Sequence, residues 1–253
     1  MKLHANTHGH GPTRVLVHGW GLHSGVWQPV VERLAAQHRV VTVDLPGHGR
    51  SGFNGPFDLD ELADALVETV TEPALWVGWS LGGLAVQRLA RRHPQRVSRM
   101  ALVATTPCFT HRDTWPWAMR PESLAAFAHE LEGDFEETLR RFIGLQARGD
   151  SEGRAVLRDL RQRLAAWPPL PEALVSGLAI LRDCDLRADL PHLQPPALWV
   201  GGSRDRLIPP QALEQAAALM AQAQVQLFNR AGHAPFLSDP DGFAACIERF
   251  EHG

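Results

Sequence analysis

The chain predicts an α/β fold, in which a mostly parallel central sheet carries helices on both faces. Two observations support this prediction. Short apolar runs of strand length alternate with helical patterns, and the runs are continuous enough for strands that are buried on both sides. The predicted strands are 14–18, 39–43, 74–78, 99–104, 197–201 and 225–228, and the predicted helices are 24–37, 81–93, 211–221 and 240–251.

The alternation stops between about Pro107 and Pro195, where no strand pattern is found. This stretch predicts four helices, near 121–131, 134–148, 151–167 and 171–183. Asp134 with Glu137 resembles a capping box, and Pro121 and Pro171 suit first-turn positions. The stretch leaves and rejoins the sheet at the carboxyl ends of strands, where ligands bind in such sheets. We therefore expect one domain over residues 1–253, with a helical lid inserted at 107–195.

Composition limits the classes of function. Hydrophobic residues make up 44% of the 253 residues, charged residues make up 21%, and the net charge is −3. These values are typical of a globular protein and give no reason to expect nucleic acid or membrane binding. Cys108, Cys184 and Cys246 are odd in number and widely spaced, which indicates neither a disulfide framework nor a zinc motif. We expect a cytoplasmic protein, because the N-terminus has no signal-peptide pattern. We also expect a monomer without a metal or an organic cofactor.

The stretch VGWSLGG, residues 77–83, places Ser80 between a predicted strand and a predicted helix. The spacing G-x-S-x-G in this context is typical of a nucleophile elbow, a sharp turn that exposes the serine at the sheet edge. Small residues at 78 and 82 prevent a clash between strand and helix. The free N–H groups at the start of the helix can stabilise negative charge beside the serine. Ser80 is therefore the candidate nucleophile.

A serine nucleophile needs a base, and the base needs an orienting group. Asp205 follows the strand at 197–201, and His233 follows the strand at 225–228, in the chain order that this fold requires. Asp113, which follows the strand at 99–104, is an alternative acid. Three other aspartates precede their strand, at the wrong end of the sheet: Asp183, Asp185 and Asp189. The predicted triad is Ser80, Asp205 and His233.

Acyl transfer also needs hydrogen-bond donors for the oxyanion. The predicted donors are the backbone N–H of Leu81, immediately after the nucleophile, and that of Trp20 in the loop HGWGLHSGVW. The Trp20 indole is expected to line the pocket. We interpret His18, at the end of a strand, and His48, in the glycine-rich loop DLPGHGRSG, as structural residues.

Nearly the whole chain resembles the α/β-hydrolase superfamily. More narrowly, it is similar to the pimeloyl-acyl-carrier-protein methyl ester esterase family of biotin synthesis. The motifs that carry the similarity are HGWGLHSGVW, DLPGHGRSG, WVGWSLGGL, HPQRV, TTPCF, RFIGLQ, GLAILRDCDLR and GHAPF. The resemblance implies an esterase that removes methanol from a pimeloyl chain attached to acyl carrier protein.

One face of the predicted lid helix in 134–148 suits an acyl channel. Phe135, Leu139, Phe142 and Gln146 share this face at helical spacing, although an ordinary core stripe has the same pattern. The family resemblance implies that the segment matching Phe142 to Gln146 contacts substrate. The predicted substrate-binding residues are Trp20, Ser80, Leu81, Phe142, Ile143, Gly144, Leu145, Gln146 and His233.

Arginines of the lid form a candidate docking surface for an acidic carrier protein. Arg141 and Arg148 point away from the channel face, and Arg154, Arg158 and Arg161 form one stripe on the next helix. A solvated helix face is the alternative interpretation, because Asp150, Glu152 and Asp159 dilute the positive charge.

Two other functions stay open at this point. One is a general short-chain carboxylesterase with no carrier partner, and the other is a non-catalytic ligand receptor on the same scaffold. A dehalogenase or epoxide hydrolase is disfavoured, because those enzymes use a carboxylate where Ser80 stands.

Overall fold

A single mostly parallel sheet forms the centre of the molecule, as predicted. The computed structural model describes residues 2–252, with only the main chain of Glu132. Within that range seven strands pair in the order β1-β3-β2-β4-β5-β6-β7. β1 runs antiparallel to β3, and the other neighbours are parallel. The strands are β1 Ala5–His8, β2 Thr13–Val17, β3 Arg39–Val43, β4 Ala74–Trp79, β5 Val97–Val103, β6 Ala197–Gly202 and β7 Ala223–Phe228.

Helices cover both faces of the sheet. They are α1 Gln28–Leu34, α2 Leu59–Thr69, α3 Leu81–Arg92, α4 Pro121–Gly133, α5 Phe135–Gln146, α6 Gly153–Ala166, α7 Pro171–Asp183, α8 Pro210–Ala218, α9 Pro235–Ser238 and α10 Pro240–His252. Alternate strand residues enter two separate cores, since Val15 and Val17 belong to the core that includes residues of α2, α3 and α8, whereas Leu16 belongs to the core that includes residues of α1 and α10. The helical layers on the two sides hold the strand ends in fixed positions.

Three features of the fold differ from the prediction. β1 was not predicted because ANTH has no apolar run, and its strand is defined by antiparallel pairing with β3. α2 was also missed, although Asp58 and Glu61 form a reciprocal capping box at its start. Residues 24–37 are not one helix, because a 3-10 turn at Ser24–Trp27 precedes the shorter α1.

The four helices predicted between residues 107 and 195 are present as α4 to α7, between β5 and β6. Pro121 and Pro171 occupy first-turn positions, and the Asp134 side chain accepts a hydrogen bond from the Glu137 N–H at 3.0 Å. The two ends of the insertion meet, because the Leu186 N–H donates to the Pro107 carbonyl at 2.8 Å. The insertion therefore leaves and rejoins the sheet at one place.

None of the helices within residues 2–252 combines the length and the apolar character that crossing a membrane requires.

Candidate active site

Ser80 lies in a strained turn between β4 and α3. Its backbone has φ 54° and ψ −115°, which is unusual for a residue other than glycine. A Cβ at Gly78 would lie 2.4 Å from the Gly82 carbonyl oxygen, so strand and helix approach too closely for a larger residue. The Ser80 N–H donates to the Val103 carbonyl at 2.9 Å, and the Ser80 carbonyl accepts from the Thr105 hydroxyl at 2.8 Å. These contacts hold the turn in the conformation expected of a nucleophile elbow.

Asp205 and His233 are brought together at the same edge of the sheet. The His233 Nδ1 and the Asp205 Oδ2 are 2.8 Å apart, and both side chains are buried. The other carboxylate oxygen, Oδ1, accepts the N–H groups of Leu207 and Ile208 at 2.8 and 3.1 Å. A carboxylate only accepts hydrogen bonds. A neutral His233 imidazole that faces it therefore carries its hydrogen on Nδ1. The His233 Nε2 is buried and has no partner in the described part of the chain, so it is free to accept a proton.

Asp113, the alternative acid, is in a different environment. It is exposed, and no hydrogen bond or ion pair of its side chain is found within residues 2–252. The carboxylate that contacts the imidazole is that of Asp205.

The main chain of His233 is held from two sides. Its N–H donates to the Gln146 carbonyl at 3.1 Å, and its carbonyl accepts from the Trp79 indole Nε1 at 2.9 Å. Trp79 is fully buried and is the last residue of β4. No role in the site was predicted for Trp79 from the sequence. The N–H of a buried tryptophan usually has a hydrogen-bond partner, and this tendency is the signal that could have indicated such a contact.

The two predicted oxyanion donors have free N–H groups. Within the described residues, neither the Trp20 N–H nor the Leu81 N–H donates a hydrogen bond to another protein group. The Gly19 carbonyl accepts from His18 Nδ1 at 2.8 Å. Because a trans peptide places its C=O and N–H on opposite sides, this bond directs the Trp20 N–H away from His18. The Trp20 indole donates to the Leu174 carbonyl at 2.9 Å and so joins this loop to α7.

His18 and His48 are structural, in agreement with their predicted role. His18 Nε2 accepts the Leu45 N–H at 2.9 Å, and His48 Nδ1 donates to the Pro46 carbonyl at 2.9 Å. Burial lowers the pKa of His18 to about 3 and that of His48 to about 4. Both imidazoles are therefore neutral near pH 7, and they join the two loops at the top of β2 and β3.

These two histidines predict a loss of stability in mild acid. The unfolded chain binds protons at the ordinary histidine pKa of 6.5, whereas the folded protein does not until far lower pH. The free energy of unfolding should be largest above pH 6.5 and fall toward pH 4, by about 1 to 2 kcal/mol per pH unit for each histidine. Urea unfolding at a series of pH values measures this slope. His48→Asn should reduce the slope, and an unchanged slope in that variant would contradict the assignment.

A small apolar cavity lies over Ser80. Its volume is about 20 Å³, which is room for roughly one water molecule. Among the described residues that line it, the only polar side chains are those of Ser80 and His233. The apolar lining consists of Trp20, Phe109, Met119, Leu124, Phe127, Phe142, Leu178, Leu181 and Leu207. Most of this lining comes from the insertion, so α4, α5 and α7 form a roof over Ser80.

The five predicted substrate residues of α5 lie in different environments. Phe142 lines the cavity and packs edge-to-face on the Trp20 indole, with 4.8 Å between the ring centroids. Ile143 is buried in the core on the α1 and α10 side of the sheet, and Gly144 is partly exposed. Leu145 packs against the opposite core, and Gln146 is buried and does not line the cavity. Substrate contact by the last four residues stays a prediction.

The candidate docking arginines differ in their pairing. Arg141 already pairs with Glu130 at 2.8 Å and lies over the Phe127 ring. The four others are exposed, and no carboxylate within the described residues pairs with them: Arg148, Arg154, Arg158 and Arg161. Two of the three acidic residues that were expected to dilute this charge are engaged elsewhere. Asp159 pairs with Arg163, and Asp150 binds a loop near His233.

Sequence reasoning missed most of the cavity lining. The lining residues that were not predicted as site residues are Phe109, Met119, Leu124, Phe127, Leu178, Leu181 and Leu207. The apolar spacing of α4 and α7 was the available signal, but it does not distinguish residues that line a cavity from residues that pack in a core. No group of three or more His, Cys, Asp or Glu side chains within residues 2–252 is arranged to hold a metal ion.

Comparisons with known proteins agree with this geometry. A family model described as the alpha/beta hydrolase family matches residues 15–246. A pimeloyl-[acyl-carrier protein] methyl ester esterase of Xanthomonas oryzae pv. oryzae is 44% identical, over 98% of each chain. A protein of the same name from Nitrosomonas europaea is 41% identical, again over 98% of each chain. The solved esterase from Exiguobacterium antarcticum has a TM-score of 0.90 over 99% of this chain and 96% of its own, at 22% identity, which is a likeness of fold.

Proposed function

Because the chain belongs to the alpha/beta hydrolase family, we propose that it is a serine carboxylesterase acting on the methyl ester of pimeloyl-acyl carrier protein. The products are methanol and pimeloyl-acyl carrier protein for biotin synthesis. The observation that carries the proposal is the apolar cavity whose polar side chains are Ser80 and His233, with Asp205 behind the imidazole. Relatives named for this reaction, similar over nearly the full chain, support the choice of substrate.

The free Nε2 of His233 supports a role for this residue as the base. Ser80 attacks the ester carbonyl while Nε2 takes the hydroxyl proton, and Asp205 stabilises the imidazolium that forms. The imidazolium then gives its proton to the departing methoxide, which leaves as methanol. Water, activated by the same imidazole, hydrolyses the acyl-enzyme and restores Ser80. The N–H groups of Trp20 and Leu81 stabilise the oxyanion of each tetrahedral intermediate.

The apolar roof supports an explanation for why the thioester survives. The methyl-ester end enters between α4, α5 and α7, where apolar side chains surround the acyl chain. The carrier protein is too large to follow, so the thioester at the other end of the chain stays outside. Free carrier thiol should therefore not accumulate while methanol is released. Thiol release that matched methanol release would contradict this length rule.

Intact-mass analysis of the carrier protein tests the proposed reaction directly. The carrier bearing a pimeloyl methyl ester should lose the mass of one methylene group when the wild-type enzyme is added, and keep its pimeloyl group. Ser80→Ala is the control and should leave the mass unchanged. A substrate mass that the wild type does not change would refute the proposal. The proposal includes a cytoplasmic monomer, and light scattering on the purified chain tests the oligomeric state.

The exposed arginines support docking of the carrier protein on the outer face of α6. Arg154, Arg158 and Arg161 recur at helical spacing, and α6 lines no part of the cavity. Arg163 on the same helix donates to the Gly25 carbonyl and anchors α6 to the body of the protein. A fixed basic surface beside the roof would orient an acidic carrier without blocking substrate entry.

Charge reversal at Arg154 and Arg158 should affect kcat/KM for the carrier-bound substrate but not for free esters. The double variant R154E/R158E should lower kcat/KM for the carrier-bound ester by about 10-fold or more at low ionic strength. Its kcat/KM for a free methyl ester should be unchanged, because neither arginine lines the cavity. Arg249→Glu reverses an exposed charge on α10 and is the matched control. Equal losses on both substrates, or none, would favour a general carboxylesterase.

A further inference from the structure

The connection between α5 and α6, residues 147–152, lies against both loops that carry the predicted acid and base. Gly149 has φ +90°, and a Cβ on it would lie 2.7 Å from the Arg204 carbonyl oxygen. Arg204 immediately precedes Asp205, and its N–H donates to the Ala231 carbonyl at 2.9 Å. The insertion thus contacts the loop after β6 and, through it, the loop after β7.

Asp150 is the main polar contact of this connection. Its Oδ2 accepts the Gly232 N–H at 2.6 Å and the Ser238 hydroxyl, and its Oδ1 accepts the Glu152 N–H at 2.7 Å. The first of these bonds joins the insertion to the residue directly before His233. Hydrogen bonds to a carboxylate are stronger than those between neutral groups, so the Asp150–Gly232 bond holds the insertion tightly against the loop before His233.

The loop before His233 needs contacts of this kind. Arg230 lies in the left-handed region with φ 62°, a conformation that costs free energy unless neighbouring groups hold it. The Arg230 carbonyl accepts the Ser151 N–H at 2.9 Å, and the Arg230 N–H donates to the Ser203 hydroxyl at 2.8 Å. With the Gln146 carbonyl on the His233 N–H, residues of the insertion bind this loop at three successive points.

We propose that Asp150 is a positioning residue for His233, through which the helical insertion sets where Nε2 lies relative to Ser80. Among the described residues the imidazole has one hydrogen bond, to Asp205, and it lies beside the Trp79 ring, so the contacts of its main chain also determine where Nε2 lies. Gly232 connects Asp150 to His233. The Asp150 carboxylate accepts the Gly232 N–H, and the next residue in the chain is His233. This inference rests on the proposed esterase activity.

Asp150→Ala should lower kcat for a free methyl ester by about 10-fold to 100-fold, because a displacement of about 1 Å in a catalytic group has an effect of that size. KM should stay within about twofold, since Asp150 does not line the cavity. The downfield proton resonance of the His233 Nδ1–H, which bridges to Asp205, should broaden or shift in the variant. A substitution that affects only folding would lower the melting temperature and leave kcat and this resonance of the folded fraction unchanged.

Two further variants make the test decisive. Ser151→Ala changes an exposed side chain on the same connection and should behave as the wild type. Ser238→Ala removes one bond to Asp150 but keeps the Gly232 bond, so a smaller fall in kcat is expected. If Asp150→Ala does not fold, the kcat of Ser238→Ala is the test of the inference. Wild-type kcat in Asp150→Ala would overturn the inference, and so would wild-type kcat in Ser238→Ala where Asp150→Ala does not fold. A wild-type enzyme without esterase activity would instead refute the proposed function.

Discussion

Replacing Ser80 by alanine is expected to lower kcat for methyl ester hydrolysis by about 10⁶-fold. The substitution removes the one hydroxyl among the described side chains that line the cavity, so no acyl-enzyme can form. His233 and the two free N–H groups of the oxyanion site remain, and they account for the residual rate over water. Burial of the substrate chain is unchanged, so KM should change little.

The measurement combines initial rates with covalent labelling. A fluorophosphonate probe should add one label to the wild type, and peptide mapping should place it on Ser80. Ser176→Ala is the matched control, because Ser176 is a buried serine of the insertion that does not line the cavity. Labelling or hydrolysis that survives in Ser80→Ala would identify a different nucleophile.

Replacing Asp205 by asparagine is expected to lower kcat by about 10⁴-fold through the wrong imidazole tautomer. The backbone N–H groups of Leu207 and Ile208 point at Oδ1, so the amide oxygen must face them. The amide NH₂ then takes the place of Oδ2 and donates to His233 Nδ1. The ring hydrogen moves to Nε2, which can no longer accept the proton of Ser80.

Asp113→Asn is the control for this experiment, since it makes the same change at the alternative acid. It should leave kcat unchanged, because Asp113 is exposed and Asp205 contacts the imidazole. Activity lost in Asp113→Asn and kept in Asp205→Asn would reverse the assignment. Thermal unfolding of both variants should lie close to that of the wild type, as each substitution preserves the shape of the side chain.

Much of this site could be predicted because strand ends are easy to recognise. Ser80, Asp205 and His233 each follow an apolar run, and parallel strands bring their carboxyl ends to one edge of a sheet. β1 could not be recognised in the same way, because its polar sequence becomes a strand only through pairing with β3. Edge strands of this kind depend on tertiary context more than on their own residues.

The position of the roof over Ser80 and the contact between Asp150 and Gly232 could not be predicted from the sequence, for a different reason. Helical periodicity identifies the apolar side of α4, α5 and α7, but not the distance between that side and Ser80. Asp150 was interpreted as a charge that dilutes the arginine surface, and it instead binds Gly232, which is 82 residues further along the chain. Contacts between loops so far apart in sequence leave no local pattern to read.

The apolar lining of the cavity has a consequence for the release of the product. The methyl ester is uncharged and can enter without losing a tightly held hydration shell, whereas the carboxylate product would have to shed its water to return among Phe, Leu and Met side chains. Burying an unpaired carboxylate costs several kcal/mol or more. The methyl group therefore keeps this end of the substrate uncharged, and the product lacks it. Once it is removed, the product is excluded by its own charge, and accumulated product should inhibit the enzyme only weakly.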